Sequence, residues 1–206
     1  MRIVATFVSW IFHPLLFATY LVLLLGWIMP QFLLIPVNKT LTFAGLVFVM
    51  TFLLPAANLL MFKAFGTLPS LQMKARKERL VPFTFISIIY VVVTIMFFYK
   101  VSHNVNFNKV MMIATGLIVL ATAATFFEKV SIHSLAICGA IGILLPLNKA
   151  IENGALIVPT ITVIVIGGLV MSSRLYLNAH TPRQVLYGAL LGFAGAFFGM
   201  AILFKT

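Results

Sequence analysis

Long apolar runs alternate with short polar breaks along almost the whole chain. A helix needs about 20 apolar residues to cross a bilayer, and lipid offers the backbone no other hydrogen-bond partner, so each run is expected to be a helix. Seven runs qualify, at residues 3–29, 40–62, 81–99, 110–127, 131–147, 155–171 and 184–204, of which the fifth and sixth are among the shortest. The pattern predicts an all-α integral membrane protein, a bundle of six to seven transmembrane helices.

Composition agrees with this prediction. The 206 residues are 63% hydrophobic and 8% charged, and a soluble domain of this size cannot hide so much apolar surface. The single cysteine, Cys138, excludes an internal disulfide and a cysteine-based metal cluster. The first run continues to Met29 without a signal-peptide cleavage pattern, so we expect an uncleaved first span. We therefore expect residues 1–206 to form a single transmembrane domain.

The polar loops between the spans carry most of the charge. Three of them, at 63–82, 128–133 and 172–184, follow the second, fourth and sixth spans. An even number of crossings separates them, so we expect all three on one side of the membrane. The third, fifth and seventh spans begin on that side, and helix N-termini with their free N–H groups favour an anion. The topology predicts an anion site at these loops.

The net charge of +11 has two interpretations. Basic loops of a membrane protein commonly contact anionic lipid headgroups and set its orientation, whereas a basic surface also suits an anionic substrate. Nine of the fourteen Lys and Arg residues lie on the side of the three loops, which by the positive-inside rule is the cytoplasmic side. We expect membrane lipids as partners, and no nucleic acid.

The third loop holds Arg174 and His180, six residues apart. On one continuous helix they would lie about 240° apart around the axis, so the chain must turn if both face one ligand. Asn178 suits such a turn. A histidine near several cations is expected to stay neutral, and a neutral imidazole is a competent nucleophile. The alternative is an interfacial histidine without a function.

The start of the last span follows directly. Thr181 fits the N-cap, Pro182 the first helical position, and Gln184 completes a T-x-x-Q capping box. In the second loop, Ser131 is predicted to cap the fifth span, with His133 in its first turn as a candidate proton donor. A capping serine followed by a polar histidine is also ordinary at a membrane interface.

The first loop carries four cations that suit oxyanion binding, with arginine as a two-pronged clamp and lysine as a point charge; they are Lys74, Arg76, Lys77 and Arg79. In order, the three loops resemble the signature motifs of the type-2 phosphatidic acid phosphatase and vanadium haloperoxidase superfamily, K-x6-R-P, P-S-G-H and S-R-x5-H-x3-D. The matching positions are Lys74 and Pro82, then Ser131 and His133, then Ser173, Arg174 and His180. Val81 stands in place of the first-motif arginine, Val130 and Ile132 replace the proline and glycine of the second, and Gln184 stands in place of the third-motif acid.

The resemblance implies phosphate transfer through a phosphohistidine, without metal or cofactor. By resemblance His180 is the nucleophile, His133 protonates the leaving oxygen, and the phosphoryl oxygens are held by Lys74, Arg174 and Ser131. Arg79, two residues before the expected arginine, is a candidate for the missing clamp. Gln184 can orient the ring of His180 but cannot stabilise an imidazolium as a carboxylate does; in a serine-protease triad the analogous acid-to-amide change costs about 10⁴ in kcat.

The resemblance implies an enzyme, a phosphatase acting on a lipid phosphate such as phosphatidic acid, phosphatidylglycerol phosphate, a polyprenyl diphosphate or a lipid A phosphate. One alternative is a non-catalytic relative that binds or transports an anionic lipid, marked by Gln184 and Val81. Another is an unrelated membrane protein whose basic loops only set topology. The family's sites commonly face outward, so the resemblance implies that this site faces the periplasm from a bacterial inner membrane. The number of Lys and Arg residues on that side predicts the opposite orientation.

Two features within the spans complete the pattern. Small residues at three- and four-residue spacing in the last span predict close helix packing inside the fold, with a homodimer face as the alternative; they are Gly188, Gly192, Gly195 and Gly199. Polar or kinked points inside a membrane are functional candidates. His13, before Pro14, is one of them, and we expect it to bond across helices or to line a lipid entry rather than to take part in the chemistry.

Overall fold

All regular structure in the described part of the chain is helical. The structure, a computed structural model, describes residues 1–71, 73, 75–101, 104–150 and 154–204. Within these ranges seven helical stretches are long and apolar enough to cross a membrane: Arg2–Ile28, Val37–Ala64, Lys77–Lys100, Val105–Phe127, Ile132–Ala150, Ile157–Tyr176 and Pro182–Phe204. The predicted all-α integral membrane fold is confirmed.

The spans are built from these α-helices: α1 (Arg2–Ile11), α2 (Phe17–Ile28), α3 (Pro30–Leu33), α4 (Thr40–Phe48), α5 (Leu54–Ala64), α6 (Lys77–Lys100), α7 (Val105–Phe127), α8 (Ile132–Ala150), α9 (Ile157–Tyr176) and α10 (Pro182–Phe204). Short 3₁₀ turns at Pro14–Leu16 and Val37–Lys39 precede α2 and α4, and a π-helical turn at Val49–Leu53 joins α4 to α5. Several helices extend beyond the predicted spans.

Two of these extensions move predicted site residues from loops onto helices. α6 begins at Lys77, so Arg79 lies in its first turn, and α9 continues to Tyr176, so Arg174 lies in its last turn. The predicted spans 81–99 and 155–171 were therefore too short at these two ends. Long basic side chains reach the interface from inside a helix end, and a cation in the last turn is favourable next to the helix dipole. The helix therefore does not end where the apolar run ends.

The first span is interrupted, which the prediction of one continuous span missed. Pro14 has no backbone N–H, and the residue before a proline is pushed out of the α region. His13 accordingly adopts an extended conformation, with φ −65° and ψ 133°. α1 ends at Ile11, and a 3₁₀ turn leads into α2.

By its internal contacts the chain divides into two compact units, Met1–Phe17 with Val130–Thr206, and Ala18–Lys129. In the first unit α8 and α10 run side by side in the same direction, with their backbones in contact. A Cβ atom on Gly188 would lie 2.3 Å from the Ser131 carbonyl oxygen, and one on Gly192 would lie 2.1 Å from that of Leu135. These two glycines therefore pack inside the fold, as predicted.

In the second unit, paired hydroxyl groups join α6 to α7. Ser87 Oγ lies 2.7 Å from Thr122 Oγ1, and Thr94 Oγ1 lies 2.6 Å from Thr115 Oγ1. The Tyr90 hydroxyl donates to the carbonyl of Thr51, in the π-helical turn, at 2.9 Å. Such bonds hold helices together where lipid provides no hydrophobic driving force. The prediction of one domain with three motif loops on one side stays a prediction.

Candidate functional site

The end of α9 reverses the chain between Arg174 and His180. Asn178 adopts a left-handed conformation, with φ 51°. The N–H of Ala179 donates to the Arg174 carbonyl at 3.1 Å, and the N–H of Asn178 donates to the Leu175 carbonyl at 2.9 Å. This pair of bonds is a Schellman motif, in which a residue that tolerates the left-handed region closes the helix. The turn predicted at Asn178 is therefore present.

His180 and Gln184 are joined through the capping box of α10. The Thr181 N–H donates to Gln184 Oε1 at 3.3 Å, and the Gln184 N–H donates to Thr181 Oγ1 at 3.4 Å. His180 Nδ1 lies 3.1 Å from the same Gln184 oxygen. An amide oxygen only accepts, so Nδ1 carries the proton and Nε2 has the lone pair. His180 is buried, with 8% of its surface exposed.

The start of α8 is fixed to the start of α10. The Ser131 N–H donates to the Gln184 carbonyl at 3.1 Å, and Gly188 allows this close approach. Ser131 Oγ accepts from the N–H of Ser134 at 3.4 Å and from its hydroxyl at 2.9 Å, so Ser131 caps α8 as predicted. Ser131 is fully buried and its N–H is taken, so only its hydroxyl proton remains for the predicted phosphate contact. The two adjacent helix N-termini favour an anion.

His133, in the first turn of α8, is held by the first helix. Its Nε2 lies 3.0 Å from the carbonyl oxygen of Ser9, and because a carbonyl oxygen only accepts, Nε2 carries a proton. Ser9 is 124 residues away in sequence and is buried near the end of α1. Sequence reasoning missed this partner, since nothing in the spacing of the motifs points to residue 9.

Arg174, in the last turn of α9, is incompletely bonded. Its Nε is buried and has no hydrogen-bond partner among the described residues. The guanidinium interacts electrostatically with His13 and His133, and His133 does so with His180. A buried donor without a partner costs about 1–3 kcal/mol, more for a charged group. A bound anion would supply the missing acceptor, so the Arg174 guanidinium has a donor available for an anion.

His13 belongs to the same cluster and contacts His133, which lies on another helix. Its ring centroid lies 5.9 Å from that of His133, with the planes at 78° in an edge-to-face arrangement. Its Nδ1 accepts from the Leu15 N–H at 3.3 Å, which caps the 3₁₀ turn. The signal that would have indicated it is the intramembrane His-Pro pair, because a helix break exposes polar groups at its own position.

The first motif falls within the sequence range of the second unit. Lys74 lies outside the described residues. Arg79 is in the second unit, 7% exposed; its Nε donates to the Met73 carbonyl at 2.9 Å and its guanidinium lies 5.9 Å from the ring centre of Phe83. Arg76 donates to the Thr125 and Phe126 carbonyls at the end of α7. The phosphate-binding roles of Lys74 and Arg79 stay predictions.

Neither a carboxylate nor a metal-binding group is found among the described residues of this cluster. The first unit has no Asp or Glu at any described position, and an amide oxygen, that of Gln184, lies beside His180 Nδ1. The described residues also contain no group of three or more His, Cys, Asp or Glu side chains that could hold a metal ion. What the first unit brings together is His13, His133, Arg174, His180 and Gln184.

Comparison with protein families gives a match for part of the chain. A family model described as the PAP2 superfamily matches residues 121–206, less than half of the 206 residues. The match supports membership of the type-2 phosphatidic acid phosphatase superfamily, whose members are in general phosphatases, and the predicted resemblance is confirmed. The match contains the second and third motifs, whereas the first motif lies before it. No curated protein and no solved structure matches the chain.

Proposed function

We propose that this integral membrane protein is a phosphatase that hydrolyses lipid phosphates through a phosphohistidine on His180. The observation that carries the proposal is Arg174, whose buried Nε has no hydrogen-bond partner among the described residues, in a unit that also holds a cluster of three histidines. A phosphoryl group supplies several acceptor oxygens and the negative charge that such a guanidinium binds well. Membership of residues 121–206 in a phosphatase superfamily supports the same reaction class.

In the first step, His180 Nε2 attacks the phosphorus atom. The bond between Nδ1 and Gln184 Oε1 keeps the lone pair on Nε2 and orients the ring. As the N–P bond forms, the bond from phosphorus to the lipid oxygen breaks, and His133 gives that oxygen a proton. The products are the free lipid alcohol, or the lipid monophosphate from a diphosphate, and the phosphorylated histidine.

In the second step, water attacks the phosphohistidine. His133, which has lost a proton, accepts one from the water as its oxygen bonds to phosphorus. The P–N bond breaks, inorganic phosphate leaves, and both histidines return to their starting states. Arg174 and the N-termini of α8 and α10 stabilise the phosphoryl oxygens in both steps, since preorganised donors act strongly where charge develops.

A second candidate is a non-catalytic relative that binds or transports an anionic lipid. One observation favours it: Gln184 Oε1 is shared between the Thr181 N–H and His180. The glutamine is thus fully explained as a helix cap, and an amide cannot stabilise an imidazolium as a carboxylate does. On this proposal Arg174 binds the headgroup and no phosphate is released.

Phosphate release from purified protein in detergent separates the two candidates. The substrates are phosphatidic acid, phosphatidylglycerol phosphate and a polyprenyl diphosphate, with vanadate as inhibitor and His180→Ala as the matched variant. We expect release that vanadate inhibits and that His180→Ala abolishes. Binding of these lipids without release supports the second candidate, and release that survives His180→Ala overturns the phosphohistidine mechanism.

We propose that the cluster faces the periplasm of a bacterial inner membrane, as the superfamily resemblance implies. Cys138 is buried in α8, so an engineered cysteine can be labelled selectively. Arg183 and Lys39 are both exposed. Five of the predicted spans, an odd number, separate them in sequence, so we expect them on opposite sides of the membrane. In intact cells we expect an impermeant maleimide to label Arg183→Cys and not Lys39→Cys; the reverse pattern puts the site in the cytoplasm.

A further inference from the structure

We propose that the break in the first membrane span is part of the active site. In this inference, which rests on the proposed function, the Ser9 carbonyl and the His13 ring hold His133 in the orientation required for proton donation to the leaving oxygen. Ser9 and His13 are positioning residues that act through His133.

The break makes the Ser9 carbonyl available. In a continuous α-helix this oxygen would accept from the N–H four residues later, that of His13. Pro14 forces His13 into an extended conformation, and α1 ends at Ile11. The orphaned carbonyl instead accepts from His133 Nε2 at 3.0 Å. Since a buried carbonyl in a membrane requires a partner, the break and the bond stabilise each other.

This bond determines which nitrogen of His133 acts on the substrate. The Nε2–H group donates the hydrogen bond to the Ser9 carbonyl, so the proton for the leaving oxygen must be carried by Nδ1. The ring is then cationic, which burial and Arg174 disfavour, so on this proposal the second proton is held only with the substrate bound, when the Ser9 oxygen and the phosphate offset its charge. A rotated ring would present the wrong nitrogen, so the orientation of His133 determines whether it can act as an acid.

The His13 ring restricts that rotation. It lies edge-on to His133, with centroids 5.9 Å apart, and its own orientation is fixed by the bond from the Leu15 N–H to its Nδ1. Arg174 interacts electrostatically with both rings, so an anion on Arg174 lies near the pair. The contact between α1 and α9 brings the break to the helix that carries Arg174.

A comparison of leaving groups tests the inference. An alkoxide leaving group needs a proton, whereas p-nitrophenolate leaves readily without one. We therefore compare kcat on phosphatidic acid with kcat on p-nitrophenyl phosphate for His13→Asn and Pro14→Ala. Asparagine keeps a capping oxygen in place of Nδ1 but lacks the ring, and Pro14→Ala allows the His13 N–H to compete for the Ser9 carbonyl.

We expect kcat on phosphatidic acid to fall about 10²-fold in both variants, the lower end of what a general acid contributes. On p-nitrophenyl phosphate we expect a change within about threefold, with the vanadate inhibition constant unchanged. Thr6→Ala is the matched control, because Thr6 is exposed, lies on α1 before the break, and its hydroxyl donates within the same helix to the Arg2 carbonyl; it should behave as the wild type.

Equal losses on the two substrates, or no loss on either, overturn the inference, since the first result indicates a general structural role and the second no role. A wild-type protein that releases phosphate from neither substrate overturns the proposed function and the inference with it. A loss confined to phosphatidic acid supports both.

Discussion

The two catalytic histidines proposed here are positioned in opposite ways. His180 is held by Gln184, four residues later on its own helix start, whereas His133 is held by Ser9, 124 residues away on another helix. The first contact forms wherever the capping box of α10 forms. The second exists only after α1 has packed against the rest of its unit.

This difference indicates where the site tolerates change. The orientation of His180 depends on a few adjacent residues whose bonds form together, so its environment can be altered by local substitution. The orientation of His133 depends on the position and the break of α1, so changes at Pro14 affect it without any contact with substrate. Substitutions near each histidine test this contrast.

The largest effect is expected at the nucleophile itself. Without the imidazole of His180 no phosphohistidine forms, so His180→Ala should lower kcat on phosphatidic acid by about 10⁴-fold or more. The measurement is release of inorganic phosphate, together with trapping of labelled phosphoenzyme by acid quench. Wild-type protein should retain the label and the variant should not. Label on the variant would show that a residue other than His180 is the nucleophile.

The next largest effect is expected at Arg174, which serves both histidines. Arg174→Lys keeps the charge but loses the planar fork and its Nε donor, so we expect kcat to fall about 10²-fold, as for loss of one oxyanion donor. Arg183→Lys is the matched control, because Arg183 is exposed and its Nε donates to the Tyr187 hydroxyl at 3.0 Å. Similar rates for the two variants would contradict a phosphate-binding role for Arg174.

A smaller change, of opposite sign, is expected at Gln184. Gln184→Glu preserves the capping box, since glutamate also serves at this position, and places a carboxylate beside His180 Nδ1. We expect kcat to rise about tenfold, much less than the factor of about 10⁴ in kcat that separates the acid from its amide in a serine-protease triad. The pH–rate profile of both proteins is the measurement, with Gln184→Leu, which removes the bond, as the variant that should lose activity.

The smallest effect is expected at the turn. Asn178 has a left-handed backbone conformation, and the proposed mechanism gives its side chain no role. Asn178→Gly should therefore leave kcat within about twofold. Asn178→Ala lacks both the flexibility of glycine and the local bonding of asparagine, and should lower the free energy of unfolding by about 1 kcal/mol. Thermal unfolding in detergent measures this; a large loss of kcat in Asn178→Gly would show that Asn178 itself contacts substrate.

Much of the local geometry could be predicted from the sequence. The seven spans depend on runs of about 20 apolar residues, and the turn at Asn178, the Ser131 cap and the T-x-x-Q box of α10 depend on residues within five positions of one another, so periodicity and capping preferences determine them. The helix ends at Lys77 and Tyr176 could not be predicted from hydropathy, because basic side chains at a helix end stay solvated without ending the helix.

The sequence by itself determined that the chain spans a membrane and that Gln184 lies within reach of His180, because both follow from local periodicity. Only the tertiary structure decided that His133 bonds to Ser9, that His13 packs against His133, and that Arg174 Nε has no hydrogen-bond partner in the part of the chain that the structure describes. Those contacts join α1, α8 and α9 across large sequence separations, and they depend on how the helices pack. Composition and spacing along one chain carry no direct information about that packing.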